Sequence, residues 1–365
     1  MPTKVVILGA GFGGLELSTI LSENLGEEVE VKLIDRTDSF VFGFAKLAVM
    51  FGEKALDQVQ LHYSEIDKPG LTYLRETVTA IDPEARKVTT DAGEHEADVL
   101  VVALGAFMDF EATPGLAGAN EFYTEQGAAD LADPISQFSS GNAIVGVCGA
   151  PFKCPPAPSE CALLLHDELV SRGVRDQCTI SFVLPLPSPV PPSPETSAAL
   201  LDEFAERDIR FVPGRRIASV DADGGVATLD DGTEMPFDLF LGVPKHRAPD
   251  VVIESGMAED GYIPVDSATL KTKFPGVFAL GDVATVGVPK AGVFAEGAAR
   301  VVADQLIAEA RGGGEVDAYD GKGSCYIEFG KGRVGRVDID FIAVAVRTGV
   351  LDKPSSELVA GKLEF

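Results

Sequence analysis

The residues with the most chemical potential in this chain are its thiols. Five cysteines are present, Cys148, Cys154, Cys161, Cys178 and Cys325, and no two form a C-x-x-C. Cys154 lies in Ala150-Pro-Phe-Lys-Cys154-Pro-Pro-Ala-Pro-Ser-Glu160, beside Lys153 and just before a helix whose first turn tolerates proline. Such a setting is expected to lower a thiol pKa and make a thiolate nucleophile. Cys325 follows far downstream in Gly321-Lys-Gly-Ser-Cys325-Tyr-Ile-Glu. Cys148 and Cys178 fall on or at the start of strands and are assigned to packing. Cys161 falls on a helix face, and its role is left open. The four histidines (His62, His95, His166, His246) show no ligand spacing, so no metal site is expected.

The second chemical signal is a glycine-rich turn, Lys4-Val-Val-Ile-Leu-Gly9-Ala-Gly11-Phe-Gly-Gly14. Gly9 permits the tight turn, Gly11 lets backbone approach a pyrophosphate, and Gly14 lets helix and strand pack closely. The phosphates then sit on a helix N-terminus beginning near Gly13. Val29-Glu-Val-Lys-Leu-Ile-Asp35-Arg36 supplies the next strand, with Asp35 placed to accept from a ribose hydroxyl. FAD rather than NAD is argued by Val277-Phe-Ala-Leu-Gly281-Asp282, where a buried strand ends in a carboxylate suited to a ribityl hydroxyl. Pro289-Lys290-Ala291 then opens a helix whose N-terminus, with Lys290, favours negative charge on a reduced flavin.

These residues need a scaffold, and the scaffold reads as one unit used twice. After the first helix and strand come Leu71 to Asp82, Lys87-Val-Thr-Thr, the turn Asp91-Ala-Gly93 and the buried run from Ala97 to Gly105. The second half offers Ile209-Arg-Phe-Val, Ile217 to Asp221, Val226-Ala-Thr-Leu, Asp230-Asp-Gly232 and Phe237 to Gly242. Each set predicts a three-stranded meander followed by a strand returning to a main sheet. The second copy opens Asn142-Ala-Ile-Val-Gly-Val-Cys148-Gly149-Ala-Pro-Phe-Lys-Cys154, without G-x-G-x-x-G. Its second strand, Cys178 to Leu184, runs into the proline-rich stretch Pro185 to Pro194, with no ribose-binding acid. That stretch is most simply a connector. One bound dinucleotide is therefore expected, facing a site rebuilt around sulfur.

Length and composition set the bounds. A chain of 365 residues accommodates two to three domains, and 45% hydrophobic with 24% charged residues is ordinary for a globular protein. A net charge of −27 disfavours nucleic acid and anionic membrane surfaces. No apolar run is long enough to span a bilayer. The start Met1-Pro-Thr-Lys leaves no room for a signal peptide, which predicts a cytoplasmic location. Structural disulfides are not expected there, so paired thiols suggest redox chemistry.

In the order and content of these motifs the chain resembles the two-dinucleotide-fold flavoproteins. Within them it resembles the sulfide:quinone oxidoreductases and the flavoprotein subunit of flavocytochrome c sulfide dehydrogenase. The resemblance implies an α/β architecture of two Rossmann-like dinucleotide-binding domains with a small C-terminal domain. Its boundaries would be 1–113 with 245–315 for the FAD domain, 114–244 for the second, and 316–365 for the last. It implies FAD in the first fold, with Gly9, Gly11, Gly14, Asp35, Arg36, Val78, Leu104, Gly105, Gly281, Asp282, Lys290 and Ala291 as the binding set. Residues 36–60 hold no cysteine that could attach a flavin, so binding is expected to be noncovalent.

Cys154 and Cys325 match the two active cysteines of these enzymes, and Glu160 matches a glutamate proposed as proton acceptor. Cys154 would carry the sulfane sulfur as a persulfide, and Cys325 would be the flavin-facing thiolate. The implied partners are a small sulfur donor and a quinone or another electron acceptor. Docking on the inner face of a membrane and a homo-oligomer are left open. The sequence after Val334 alternates like strand rather than like the amphipathic helices of the membrane-bound enzymes. The alternatives are a type II NADH dehydrogenase-like or disulfide-reducing flavoenzyme, or a flavin electron-transfer or sensor subunit without turnover.

Overall fold

In the computed structural model, residues 2–342 and 348–364 are described. The apolar run at the N-terminus forms the strand Thr3–Leu8, whose last four residues are almost wholly buried. It lies between two parallel neighbours, Val29–Asp35 and Val99–Val102. The sheet is completed by Leu71–Arg75 at one edge and Val277–Ala279 at the other, all parallel. Parallel strands covered on both faces must be apolar throughout, which is why Val99–Val102 reads as an unbroken Val/Leu run. Helices Phe12–Leu25 and Gly292–Ala310 pack against each other over this sheet, so the glycine turn and the Lys290 turn share one end of it.

The second half repeats the plan. Strand Gly141–Val147 lies between Cys178–Leu184 and Leu239–Val243, and Ile209–Pro213 forms the edge, again all parallel. Each half carries a three-stranded antiparallel meander: Val78–Asp82, Lys87–Thr90 and Glu94–Glu96 in one, Ile217–Asp221, Val226–Leu229 and Glu234–Pro236 in the other. Even the register break recurs, between Val78 and Ala80 and between Ile217 and Ser219. The expected single run Leu71 to Asp82 divides at Glu76-Thr77. Its first part joins the parallel sheet and its second opens the meander.

The chain crosses between the halves as an antiparallel ribbon, Phe107–Asp109 against Lys245–Arg247, closed by an Arg247–Asp109 ion pair at 3.2 Å. This register sets His246 opposite Met108. The C-terminal part is an antiparallel sheet of Lys322–Gly330, Arg333–Asp340 and Thr348–Ser355, followed by the short helix Leu358–Glu364. The alternation expected after Val334 is thus a strand through Asp340; residues 343–347 lie outside the described residues.

Arg207, its side chain 1% exposed, ties this sheet to the second half. It donates to the Phe329 carbonyl at 2.6 Å and pairs with Glu203 at 3.0 Å. The proline-rich connector ends on the helix Pro194–Glu206, where Ser193 caps Thr196 N–H and donates to the Gly349 carbonyl. Among the described residues no helix is long and apolar enough to cross a membrane.

Candidate active site

The glycine turn has the geometry of a dinucleotide cradle. Gly9 sits at φ +100° with its N–H on the Ile34 carbonyl, and a methyl group there would overlap the Ala103 carbonyl. One at Gly14 would overlap the Gly9 carbonyl. Gly11 differs: a methyl group there would meet no protein atom within 4 Å. Neither helix Phe12–Leu25 nor helix Gly292–Ala310 has a side-chain cap or an acid in its first turn. Their leading N–H groups are suited to a phosphate and to an electron-rich ring edge. These features fit the pyrophosphate of an FAD.

The other expected cofactor residues take distinct places. Asp35 accepts from Ala10 N–H at 2.8 Å and from the Thr37 N–H and hydroxyl, which fixes its carboxylate beside the turn. Arg36 is exposed. Val78, partly buried, opens the first meander and packs on the first core with Leu104. Gly105 takes φ +69° with open space beside it. Gly281 and Asp282 follow the strand Val277–Ala279, and Ala291 precedes helix Gly292–Ala310. Burial raises the Asp282 carboxyl pKa, against the pull of Lys153 and Lys290. Lys290 donates to the Asp282 carbonyl and sits 3.5 Å over the Tyr262 ring. Burial pulls its pKa down to about 8.

Two structural devices bring the sulfur residues together. Helix Ala157–Ser171, which begins just after Cys154, packs on strand Lys322–Gly330. The Glu160 carboxylate, 2% exposed, accepts from Glu328 N–H at 2.8 Å and pins the two. On that strand the period of two puts Cys325, Ile327 and Phe329 on one face. Ile327 and Phe329 are fully buried in the core that also holds Cys161, Ala162 and Leu165, and Cys325 packs against it. Cys154, at φ +50°, is held by its own N–H on the Lys290 carbonyl at 2.7 Å. The cofactor turn and the thiol segment are therefore joined directly.

The expectation that Lys153 and the helix start lower the Cys154 pKa is overturned. Burial raises it, and the charges of Glu160 and Cys325 raise it further, with Lys46 pulling the other way. Burial likewise pushes Cys325 up to about 12, helped by Glu160 and Asp338. Glu160 itself is raised by burial, against Lys362 and the Glu328 N–H. Burial thus disfavours charge on all three groups, the two thiolates and the Glu160 carboxylate alike. Cys148 and Cys178 are buried as packing residues, and Cys161 is wholly buried within its helix.

Two further residues, not singled out from the sequence, join this cluster. Lys46 donates to the Tyr123 carbonyl at 2.6 Å, and the Tyr123 hydroxyl reaches the Cys154 carbonyl at 3.4 Å. Burial and the Lys153 charge push Lys46 down to about 7. His246, 1% exposed, packs edge-on against Tyr123 with ring centroids 5.4 Å apart. In the second copy of the turn, a methyl group at Gly149 would come within 3.1 Å of the Lys245 chain.

A parallel-sheet cradle for one dinucleotide, joined to a segment with two half-buried thiols, defines a flavin-dependent oxidoreductase. The chain belongs to the pyridine nucleotide-disulphide oxidoreductase family, whose model matches residues 3–299. It is 24% identical over 372 residues to the mitochondrial sulfide:quinone oxidoreductase of Mus musculus, covering 97% of this chain and 82% of that protein. It is also 24% identical over 355 residues to the sulfide-quinone reductase of Aquifex aeolicus, covering 91% and 82%. The fold matches the crystal structure of the Aquifex aeolicus sulfide:quinone oxidoreductase with a TM-score of 0.89 at 22% identity. That match covers 100% of this chain and 89% of the other. The two-Rossmann α/β fold expected from the sequence is the fold observed.

Proposed function

We propose that this chain oxidises sulfide or a polysulfide through Cys154 and Cys325 and delivers the electron pair to noncovalently held FAD. The observation that supports the reading is that the helix following Cys154 packs on the strand bearing Cys325, pinned by Glu160 on Glu328 N–H, while Cys154 N–H bonds the Lys290 carbonyl.

In the oxidised protein the two thiols are bridged. Hydrosulfide attacks the bridge, a new S–S bond forms on Cys154, and the bond to Cys325 breaks. Cys325 leaves with the electron pair as a thiolate, and Cys154 keeps the incoming sulfur as a persulfide. The deprotonated persulfide on Cys154 then bonds to Cys325, closing a trisulfide bridge, and the electron pair of Cys325 passes to an acceptor as that bond forms. FAD, when bound, supplies that two-electron acceptor.

The chain's own residues hold and move the charge. Glu160, its affinity for a proton raised, takes the proton of the persulfide. The Lys290 ammonium and the N-terminus of helix Gly292–Ala310 favour negative charge at the same end of the sheet. Gly9, Gly11 and Gly14 seat the pyrophosphate, with Asp35 and Asp282 available for ribose and ribityl hydroxyls. A quinone or another oxidant is the proposed final acceptor.

A nicotinamide donor fits less well. The second turn lacks the G-x-G-x-x-G glycines, and its following strand ends at Leu184 without an acid.

Mass analysis of the oxidised protein after a single anaerobic addition of sulfide tests this reading. The Cys154 peptide is expected to gain one sulfur atom, and Cys325→Ser is expected to abolish the gain. Added sulfur on Cys161 alone, or its formation at the wild-type rate in Cys325→Ser, would refute it.

A further inference from the structure

His246 is the buried polar group for which the steps above have no use. Its Nδ1 lies 2.8 Å from the Pro244 carbonyl. A carbonyl cannot donate, so Nδ1 carries the proton and Nε2 is left as a lone-pair acceptor. Nε2 is buried and has no hydrogen-bond partner among the described residues. Such an orphan is destabilising, and a ligand's donor would offset it.

The ring's surroundings narrow what that ligand is. The charges of Lys153, Lys46 and Lys290 all act on the imidazole, and with burial they push its pKa down to about 3. It is therefore a hydrogen-bond acceptor and not a base at neutral pH. Lys46 has three donors as an ammonium, and the Tyr123 carbonyl takes one of them. The backbone of the ribbon is fixed on the other side by the Tyr262 hydroxyl, which donates to the His246 carbonyl at 2.8 Å. Tyr123 bridges the set, since it holds Lys46, packs on His246 and reaches Cys154.

We propose that His246 and Lys46 form the seat of the incoming sulfur donor, a singly protonated sulfur anion such as hydrosulfide or hydropolysulfide. Lys46 takes the charge and His246 Nε2 accepts the S–H. Three lysine side chains bearing on the ring favour an anion, and a lone-pair nitrogen calls for a donor on that same anion. Hydrosulfide carries both, whereas fully deprotonated sulfur oxyanions carry no donor and neutral thiols carry no charge. The arriving anion also draws a proton onto Lys46, because an opposite charge favours the charged form. This inference rests on the sulfide reading and names where its substrate binds before attack.

The test uses the FAD-loaded protein under rapid anaerobic mixing with sodium sulfide, following flavin bleaching against sulfide concentration. His246→Asn keeps a donor for the Pro244 carbonyl and removes the Nε2 acceptor. It is expected to raise the half-saturating sulfide concentration about tenfold, with the limiting rate within about twofold of wild type. Lys46→Met, which replaces a buried cation by an apolar chain, is expected to raise it at least as much and keeps the proposal testable should the Asn variant fold poorly. Unchanged half-saturation in both variants, with wild type bleached normally, would overturn the seat and leave the sulfide reading standing. Loss of flavin from His246→Asn with unchanged sulfide dependence would overturn it in favour of a contact with the cofactor. Wild-type protein that sulfide does not bleach would sink the reading, and the seat with it.

Discussion

Substituting Gly11 by alanine separates the work this turn does for the fold from the work it does for the cofactor. Gly11 has φ −82° and ψ −164°, an extended conformation open to any L-residue, and a methyl group there touches no protein atom within 4 Å. The flavin-free protein should therefore lose nothing. Restricting the unfolded chain should add about 0.4–1 kcal/mol of stability. The cofactor should feel the change strongly, because the methyl occupies the space through which backbone N–H groups meet the pyrophosphate. Overpacking of one methyl costs about 1–3 kcal/mol, which corresponds to FAD bound roughly 5- to 150-fold more weakly.

Gly14→Ala is the contrast. Its methyl overlaps the Gly9 carbonyl, so helix and strand must separate, and apo stability should fall by about 1–3 kcal/mol. The assay is a urea titration of apo-protein by circular dichroism beside an FAD titration by flavin fluorescence. Gly11→Ala that destabilises the apo-protein as much as Gly14→Ala, or that binds FAD like wild type, would refute the assignment of Gly11 to the cofactor.

Other perturbations test other joints of the structure. With Cys325 raised to about 12, against about 9 for a free thiol, its reduced form should react with iodoacetamide at pH 8 about a thousandfold more slowly than an exposed cysteine. The rate should climb about tenfold per pH unit up to about 12; a plateau near 9 would contradict the burial argument. Glu160→Gln removes a charge that opposes both thiolates while keeping an acceptor for Glu328 N–H, so ultraviolet thiolate titration should show both thiols ionising at lower pH.

Arg207→Ala leaves Glu203 to Arg333 alone, removes a cation beside Asp167 and frees the buried Phe329 carbonyl, and should cost about 1–3 kcal/mol in urea unfolding. Lys290→Met should lower the two-electron potential of the bound flavin by roughly 30 mV, equivalent to about 1.4 kcal/mol, measured by dye equilibration.

Much of the architecture was legible because parallel strands advertise themselves. Val99–Val102 and Val277–Ala279 are apolar on both faces, and the Gly9 turn sits between a strand and a helix, as a dinucleotide fingerprint must. The division of Leu71 to Asp82 was not legible, since the alternation runs on through Glu76-Thr77 and only the competing sheets decide where it breaks. At the site, Cys154 stood out by its proline-rich context before a helix, whereas Cys325 and Glu160 were singled out only through the family resemblance.

The sign of the thiol shift did not announce itself. Lys153 is adjacent in sequence, but the dominant influence is burial beneath the C-terminal sheet, a tertiary quantity. Lys46 and His246 left no local signature for the same reason. The first follows the second strand of one half and the second lies on the ribbon between halves, and only folding sets them beside Cys154.

The central claim is that reduced sulfur, and not a nicotinamide, feeds electrons to this site. Single-turnover anaerobic mixing of the FAD-loaded protein with sulfide in one syringe and NADH in another addresses it most directly. The account predicts flavin bleaching by sulfide, none by NADH, and loss of the sulfide response in Cys325→Ser. Bleaching by NADH with indifference to sulfide would contradict it.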